Sequence, residues 1–261
     1  MKLKEQIQKG EKLSGTLLNL NDTAVGVILG RAGYDFIWID MEHSCLSLEK
    51  LMSQIVAVRA GGTSVIVRVP QDDLTYLKKI LEMGVDGVIF PMIKTAKQAN
   101  EYIGHTLYPP YGTRGFGPQN AVGYGFDDEG AYVANTREHL CRFIQIEQID
   151  AVENLDEIMQ NEYIDGYIFG PQDLSGSLGA LGQVFGEATE NAMKRAMEKL
   201  KRAGKYVGLA TGDTSEKTIR HWHDFGADML AISADYSFLQ KASLENRKTL
   251  DRVHKGIADN E

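Results

Sequence analysis

Short apolar runs recur along this chain, most of them preceded by a glycine or an aspartate. Between them lie longer stretches whose apolar residues return every three to four positions. The first pattern predicts buried strands, the second helices packed on one face. The strands are then Gly15–Leu20, Asp35–Met41, Ser64–Val69, Asp86–Pro91, Cys141–Ile146, Asp165–Phe169, Lys205–Ala210 and Asp228–Ser233. The helices are Asp22–Gly33, Ser47–Ala60, Asp72–Met83, Thr95–His105, Glu187–Ala203, Ser215–Phe225 and Tyr236–His254. Asp22 stands as an N-cap, and Gly84, Gly204 and Gly226 close helices.

Strand and helix therefore alternate from end to end. The phrases AGYDFIWID, MGVDGVIFP, EYIDGYIFG and FGADMLAIS repeat one βα unit: a small or turn residue, an aspartate, then an apolar strand. Eight such strands with right-handed crossovers predict the α/β class and a closed (β/α)8 TIM barrel. An open doubly wound sheet is the alternative, weakened by the lack of a Gly-x-Gly-x-x-Gly fingerprint after the first strand. Two insertions interrupt the rhythm: Leu107–Glu138, rich in Gly, Pro and Tyr, and Ser175–Gly186. Loops of this length in a compact domain are usually functional or mobile. No low-complexity linker divides the chain, so residues 1–261 read as a single domain.

Length and composition agree with a barrel. The chain has 261 residues, 43% of them hydrophobic, against the roughly 250 typical of this fold. Twenty-eight basic and 36 acidic residues leave a net charge of −8. That argues against nucleic acid and anionic membranes as partners, while an acidic small molecule stays open. Cys45 and Cys141 lack metal-type spacing, which suits a reducing cytoplasm and no disulfide. Met1–Gln6 has no apolar signal core, and no stretch approaches the roughly 20 apolar residues of a membrane span.

The candidate chemistry lies just past the strand ends. Glu147 follows the fifth strand and Asp173 follows the sixth, so neighbouring parallel strands would bring both carboxylates to one rim. Two carboxylates there repel unless a cation lies between them, and their oxygens suit Mg²⁺ or Mn²⁺. Asp40-Met41-Glu42-His43 ends the second strand. It reads either as a solvated loop or as an Asp40–His43 pair in which the carboxylate orients an imidazole general base. Arg68 sits among β-branched residues and needs an anionic partner, a core carboxylate or a substrate oxyanion. Gln145 shares the strand face of Glu147 and would present its amide to a ligand or to a core neighbour. Gly170-Pro171-Gln172-Asp173 forms a turn whose N–H groups could hold a carboxylate. His221 and His223 face different sides of a helix and read as structural.

Taken together, AGYDFIWIDMEHS, VIVRVP, GVDGVIFPMI, YPPYGTRGFG, FIQIEQIDAVENLDEI and DGYIFGPQDLSGSLG are similar to the metal-dependent class II pyruvate aldolases. The resemblance, to relatives of hydroxy-oxo-heptanedioate and dehydro-deoxy-glucarate aldolases in the aldolase/citrate lyase superfamily, spans almost the whole chain. It implies a barrel of the phosphoenolpyruvate/pyruvate-domain type that exchanges a C-terminal helix within a homo-oligomer, a hexamer. It implies that a 4-hydroxy-2-oxo acid is cleaved to pyruvate and an aldehyde through a metal-stabilised enolate. Glu147 and Asp173 would bind the divalent cation, Mg²⁺ or Mn²⁺ ahead of Co²⁺ or Zn²⁺. Arg68 would contact the oxo or enolate oxygen, Gln145 the pyruvate end, and the backbone of Gly170, Gln172 and Asp173 its carboxylate. His43, oriented by Asp40, would move the hydroxyl proton, with Glu42 in support. Tyr108–Gly115 would shape the mouth. Departures at Met41, Ser44-Cys45, Gln172 and Ala231–Ala234 fall on the acceptor side. A citrate-lyase-type acyl-CoA lyase and a non-catalytic oxo-acid or metal-binding relative are the competing readings.

Overall fold

The computed structural model describes residues 2–71 and 73–256. Among these residues eight parallel strands close into a barrel in sequence order. They are β1 (Leu13–Leu18), β2 (Phe36–Asp40), β3 (Ser64–Arg68), β4 (Gly87–Phe90), β5 (Cys141–Ile146), β6 (Gly166–Phe169), β7 (Val207–Thr211) and β8 (Met229–Ala234). Every expected strand is present, with edges moved by up to two residues. The expected helices are present too, and side chains cap many of them: Asp22 takes the Ala24 N–H, Ser47 that of Lys50 and Ser215 that of Thr218. Asp72, where one helix was expected to open, lies outside the described residues. The described helix is Leu74–Glu82, capped by Asp73.

The repeated aspartate has a concrete task. Asp35, Asp86, Asp165 and Asp228 each precede an even-numbered strand, and each carboxylate accepts the backbone N–H near the start of the strand before it. The donors are Ser14, Val65, Arg142 and Val207, at 2.8–2.9 Å. Each βαβα quarter of the barrel therefore satisfies a strand-end donor in the same way, which is why one phrase recurs in the chain.

Two apolar layers result. One lies between strands and helices, the other inside the barrel around Phe36, Trp38, Ile66, Ile89, Phe143 and Ile168. Large inward side chains need small partners. A Cβ on Gly15 would lie 2.3 Å from the Phe36 ring, and one on Gly166 2.8 Å from that of Phe143. The helix Lys2–Gln8, for which the apolar pattern gave no signal, adds Leu3 and Ile7 to the inner layer. Its Lys4 is buried against Asp165 and the Arg137 and Leu140 carbonyls.

The first insertion does not shape the mouth of its own barrel. It follows a helix rather than a strand, so it lies at the strand-start end. There Arg114 pairs with Glu82 at 3.1 Å and stacks over Tyr108. The buried Arg142 guanidinium ties the insertion's helix Glu129–His139 to the start of β5. The second insertion packs Phe185 on Trp222, a buried residue of the outer helix Glu216–Phe225, while His223 points to solvent.

Candidate active site

Alternate residues of a barrel strand point inward. On β2 these are Phe36, Trp38 and Asp40, on β3 Ile66 and Arg68, and on β5 Phe143 and Gln145, with Glu147 next beyond. Phe36, Trp38, Ile66 and Phe143 fill the interior. The last inward position of each of these three strands is polar, so the apolar column ends there in a charged layer at the strand C-termini. Asp40 lies beside Arg68 in the β2–β3 register.

That layer is one connected network. Arg68 donates from Nε and Nη2 to the two Asp40 oxygens, at 3.0 and 2.6 Å. Its Nη1 reaches Glu42 Oε2 at 3.1 Å and Gln145 Oε1 at 3.3 Å. Gln145 Nε2 donates to Glu147 Oε2 at 2.6 Å, and the Met92 backbone N–H donates to Glu147 Oε1 at 2.7 Å. The guanidinium also lies 5.3 Å from the centre of the Trp38 ring. Gln145 is thus a bridge that fixes Arg68 relative to Glu147, a role more specific than its sequence position suggested.

The expected Asp40–His43 pair is not what forms. The Asp40 side chain is spent on Arg68 and on the Glu42 and His43 backbone N–H groups. The carboxylate facing the His43 ring is Glu42, at 3.6 Å from Nε2. Chain proximity suggested Asp40, whereas strand register hands it to Arg68. His43 is 65% exposed at the side chain, open to a ligand in the mouth.

Burial opposes charge throughout this layer. It works against the Asp40 carboxylate, but the hydrogen bonds and charge of Arg68 outweigh it and hold Asp40 below the usual range. Glu42 is pushed up by burial despite Arg68. Glu147 rises to about 7, first from burial and further from the negative charge of Asp173, against the Met92 N–H. Four carboxylates, Asp40, Glu42, Glu147 and Asp173, share this rim with the single guanidinium of Arg68.

Asp173 lies in the first turn of the short helix Pro171–Ser177, next to Gln172, and both are exposed. Gly170, the cap of that helix, leaves room for Glu147. A Cβ there would lie 2.5 Å from Glu147 Oε2. Gly170→Ala is therefore expected to fold but to displace the Glu147 carboxylate, lowering turnover about 10²-fold, since misplacement of about 1 Å can cost that much. Steady-state kinetics beside a melting curve check it, and wild-type turnover would disprove this role.

A cavity of about 220 Å³ opens onto the layer, with His43, Arg68, Gly170–Asp173, Thr211 and Ser233 in its wall. A neighbouring one of about 530 Å³ shares His43 and Arg68 and adds Asn19, Ser44 and Cys45. Trp38, Met92 and Ser233 were not among the expected site residues. Alternation along β2 could have found Trp38, but Met92 contributes only its backbone N–H, which leaves no mark in the sequence.

Fold and rim together define a (β/α)8 barrel enzyme with a buried layer of ionisable groups at its mouth. The chain belongs to the HpcH/HpaI aldolase/citrate lyase family, whose model matches residues 14–242. It is 31% identical to a hydroxypyruvate/pyruvate aldolase of Roseobacter denitrificans, over 90% of this chain and 91% of that one. It is also 31% identical to a 2-keto-3-deoxy-L-rhamnonate aldolase of Escherichia coli K12, over 97% and 93%. A crystal structure of a family member from Burkholderia cenocepacia J2315 superposes with a TM-score of 0.89 at 30% identity, covering 97% of this chain and 98% of that one.

Proposed function

We propose that this chain is a class II aldolase that splits a 4-hydroxy-2-oxo acid into pyruvate, or a close analogue, and an aldehyde, and joins them in reverse. The observation that carries this reading is the unbroken link Asp40–Arg68–Gln145–Glu147 at the barrel mouth. It presents a fixed guanidinium beside hard carboxylate oxygens. The two curated relatives described above are named as aldolases, which supports the same chemistry.

Glu147 and Asp173 would hold a divalent cation. The rim carries more carboxylates than Arg68 can balance, Asp173 already pushes Glu147 toward its neutral form, and oxygen donors of this kind suit Mg²⁺ or Mn²⁺. When bound, such an ion supplies Lewis-acid polarisation of the 2-oxo group.

The remaining work falls to the chain's own side chains. Arg68, locked by Asp40 and Gln145, is preorganised to stabilise negative charge developing on the oxo oxygen. The backbone N–H groups of Gln172 and Asp173 would receive the substrate carboxylate, since that of Gly170 bonds the Ile146 carbonyl. His43, beside Glu42 and open to the mouth, would take the proton from the hydroxyl on the carbon released as aldehyde, then return one in synthesis.

The test is a panel of aldehydes with pyruvate, the metal removed by chelation and then restored, with oxaloacetate decarboxylation followed in parallel. Decarboxylation needs only the enolate-stabilising groups. His43→Ala is expected to lower aldol cleavage about 10²-fold or more while largely sparing decarboxylation. Equal losses in both would take the proton-transfer role away from His43.

The closing helix Asp235–His254 exposes Tyr236, Leu239, Leu244, Leu250 and Val253, each more than half exposed. Apolar area of this kind on a long helix supports its burial in a homo-oligomer, a hexamer by family resemblance. A double variant Leu239→Glu/Leu244→Glu should reduce the mass seen by light scattering. A monodisperse wild-type monomer would refute the assembly. Among the described residues no helix is long and apolar enough to cross a membrane. Two cysteines without a disulfide, Cys45 exposed and Cys141 buried, support a cytoplasmic setting.

A further inference from the structure

The mouth end of β8 departs from regular geometry at one residue. Against β1, Gly15 pairs with Ala231, but Leu17 pairs with Ala234, so β8 carries one extra residue there. Within that bulge Ser233 has φ +58°, the left-handed region that costs a side-chain-bearing residue energy and that glycine enters freely. The neighbourhood holds it in place. Thr16 Oγ1 donates to the Ile232 carbonyl at 2.8 Å, and the Asp235 carboxylate takes the N–H groups of Asn19, Leu20 and Tyr236. Bulges beside active sites typically re-aim a side chain. Here the side chain is a hydroxyl, only 3% exposed as a residue, whose Oγ has no hydrogen-bond partner among the described residues. The residue belongs to the wall of the cavity that also holds Arg68 and Asp173, and its Oγ is buried in that wall.

A buried hydroxyl left unpaired costs free energy, and so does the backbone that places it. A glycine would remove both costs. Their coexistence at the wall of the reaction cavity points to a ligand group that completes the hydrogen bond. We propose that Ser233 reads a hydroxyl on the substrate, so that this chain prefers an α-hydroxy carbonyl partner over its deoxy counterpart. This rests on the aldolase reading. The hydroxyl could belong to the oxo acid, as in hydroxypyruvate, or to the aldehyde, as in glycolaldehyde. In either case an Oγ–hydroxyl hydrogen bond is the discriminating contact.

The experiment uses the full-length, metal-loaded protein and the variants Ser233→Ala and Ser233→Gly. One arm measures kcat/KM for hydroxypyruvate against pyruvate with a fixed aldehyde. The other measures glycolaldehyde against acetaldehyde with fixed pyruvate. In at least one arm the hydroxy-to-deoxy ratio is expected to fall about tenfold in both variants, because both lose the hydroxyl. The arm that responds identifies which partner carries the group. Ser233→Gly should also melt higher than Ser233→Ala, which shows that the variants are folded and that the strain is real. Ratios within twofold of wild type in both arms would overturn the proposal. Binding is read separately by tryptophan fluorescence, since Trp38 shares the cavity wall. A chain that turns over no pair fails as an aldolase, yet a hydroxypyruvate preference in binding, lost in both variants, would still uphold Ser233. Equal binding of the two oxo acids, together with equal binding of glycolaldehyde and acetaldehyde, by such a chain would overturn it.

Discussion

Arg68→Ala is expected to lose aldol cleavage and oxaloacetate decarboxylation together, each by about 10³-fold, the scale of removing one preorganised donor to a developing oxyanion. It should also lose stability by about 3 kcal/mol, because it strands the Asp40 carboxylate in a layer where that group is 1% exposed. The two effects separate in second variants. Arg68→Lys keeps a cation but not the fork that spans both Asp40 oxygens and Gln145, so stability should partly return while activity should not. Arg68→Ala combined with Asp40→Ala removes the stranded charge and should melt above the single variant, still inactive. Urea denaturation and the two assays decide it. Intact decarboxylation in Arg68→Ala would remove the guanidinium from the chemistry and leave it a core ion pair.

That outcome bears on how the residues could be read beforehand. Arg68 was open to two meanings, core ion pair or substrate contact, and the structure makes it a core pair with its face on the cavity. The barrel was legible because its strands are apolar runs and every second one is flagged by the same aspartate, a local signal that survives any tertiary arrangement. The rim was legible because catalytic groups of a barrel stand one step past such runs. What could not be read was pairing across strands. Asp40 is three residues from His43 but bonds Arg68, because β2–β3 register places those two side by side. Glu42 gains weight for the same reason, sharing Arg68 with Asp40 while facing the imidazole. The placement of Leu107–Glu138 was in principle readable, since a segment entered from a helix and leading into a strand must lie at the strand-start end. The helix Glu129–His139 inside it has only one buried residue, Thr136, so no apolar stripe marks it. Ser233 stood out in the chain only as a departure. Its left-handed backbone and unpaired hydroxyl became visible through the bulge that a one-dimensional pattern cannot show.

Glu147→Gln should abolish turnover and yet stabilise the metal-free protein above neutral pH. The carboxylate is 2% exposed and its ordinary value of 4.5 rises to about 7 in the folded chain. The sign of the pH dependence follows. Between those two values the folded state binds the proton more tightly than the unfolded state, so folding stability is fully present below 4.5 and falls as pH rises through about 7. The loss at pH 8 is on the order of 3 kcal/mol. Glutamine keeps the volume and removes the charge, so the melting temperature of the variant should stay flat over that range where that of the wild type declines. The same charge that weakens the empty protein is what a divalent cation would reward. Added Mg²⁺ or Mn²⁺ should therefore raise the melting temperature of the wild type and leave Glu147→Gln nearly unmoved, with activity reduced by about 10³-fold or more at any metal concentration. Asp173→Asn should share the activity loss and the lost response to metal. Its pH-dependent decline should be shallower than in the wild type, because one of the charges that opposes ionisation of Glu147 is gone. A Glu147→Gln protein that still gains stability from metal would place the cation elsewhere on the rim. One that turns over substrate would remove Glu147 from the reaction altogether.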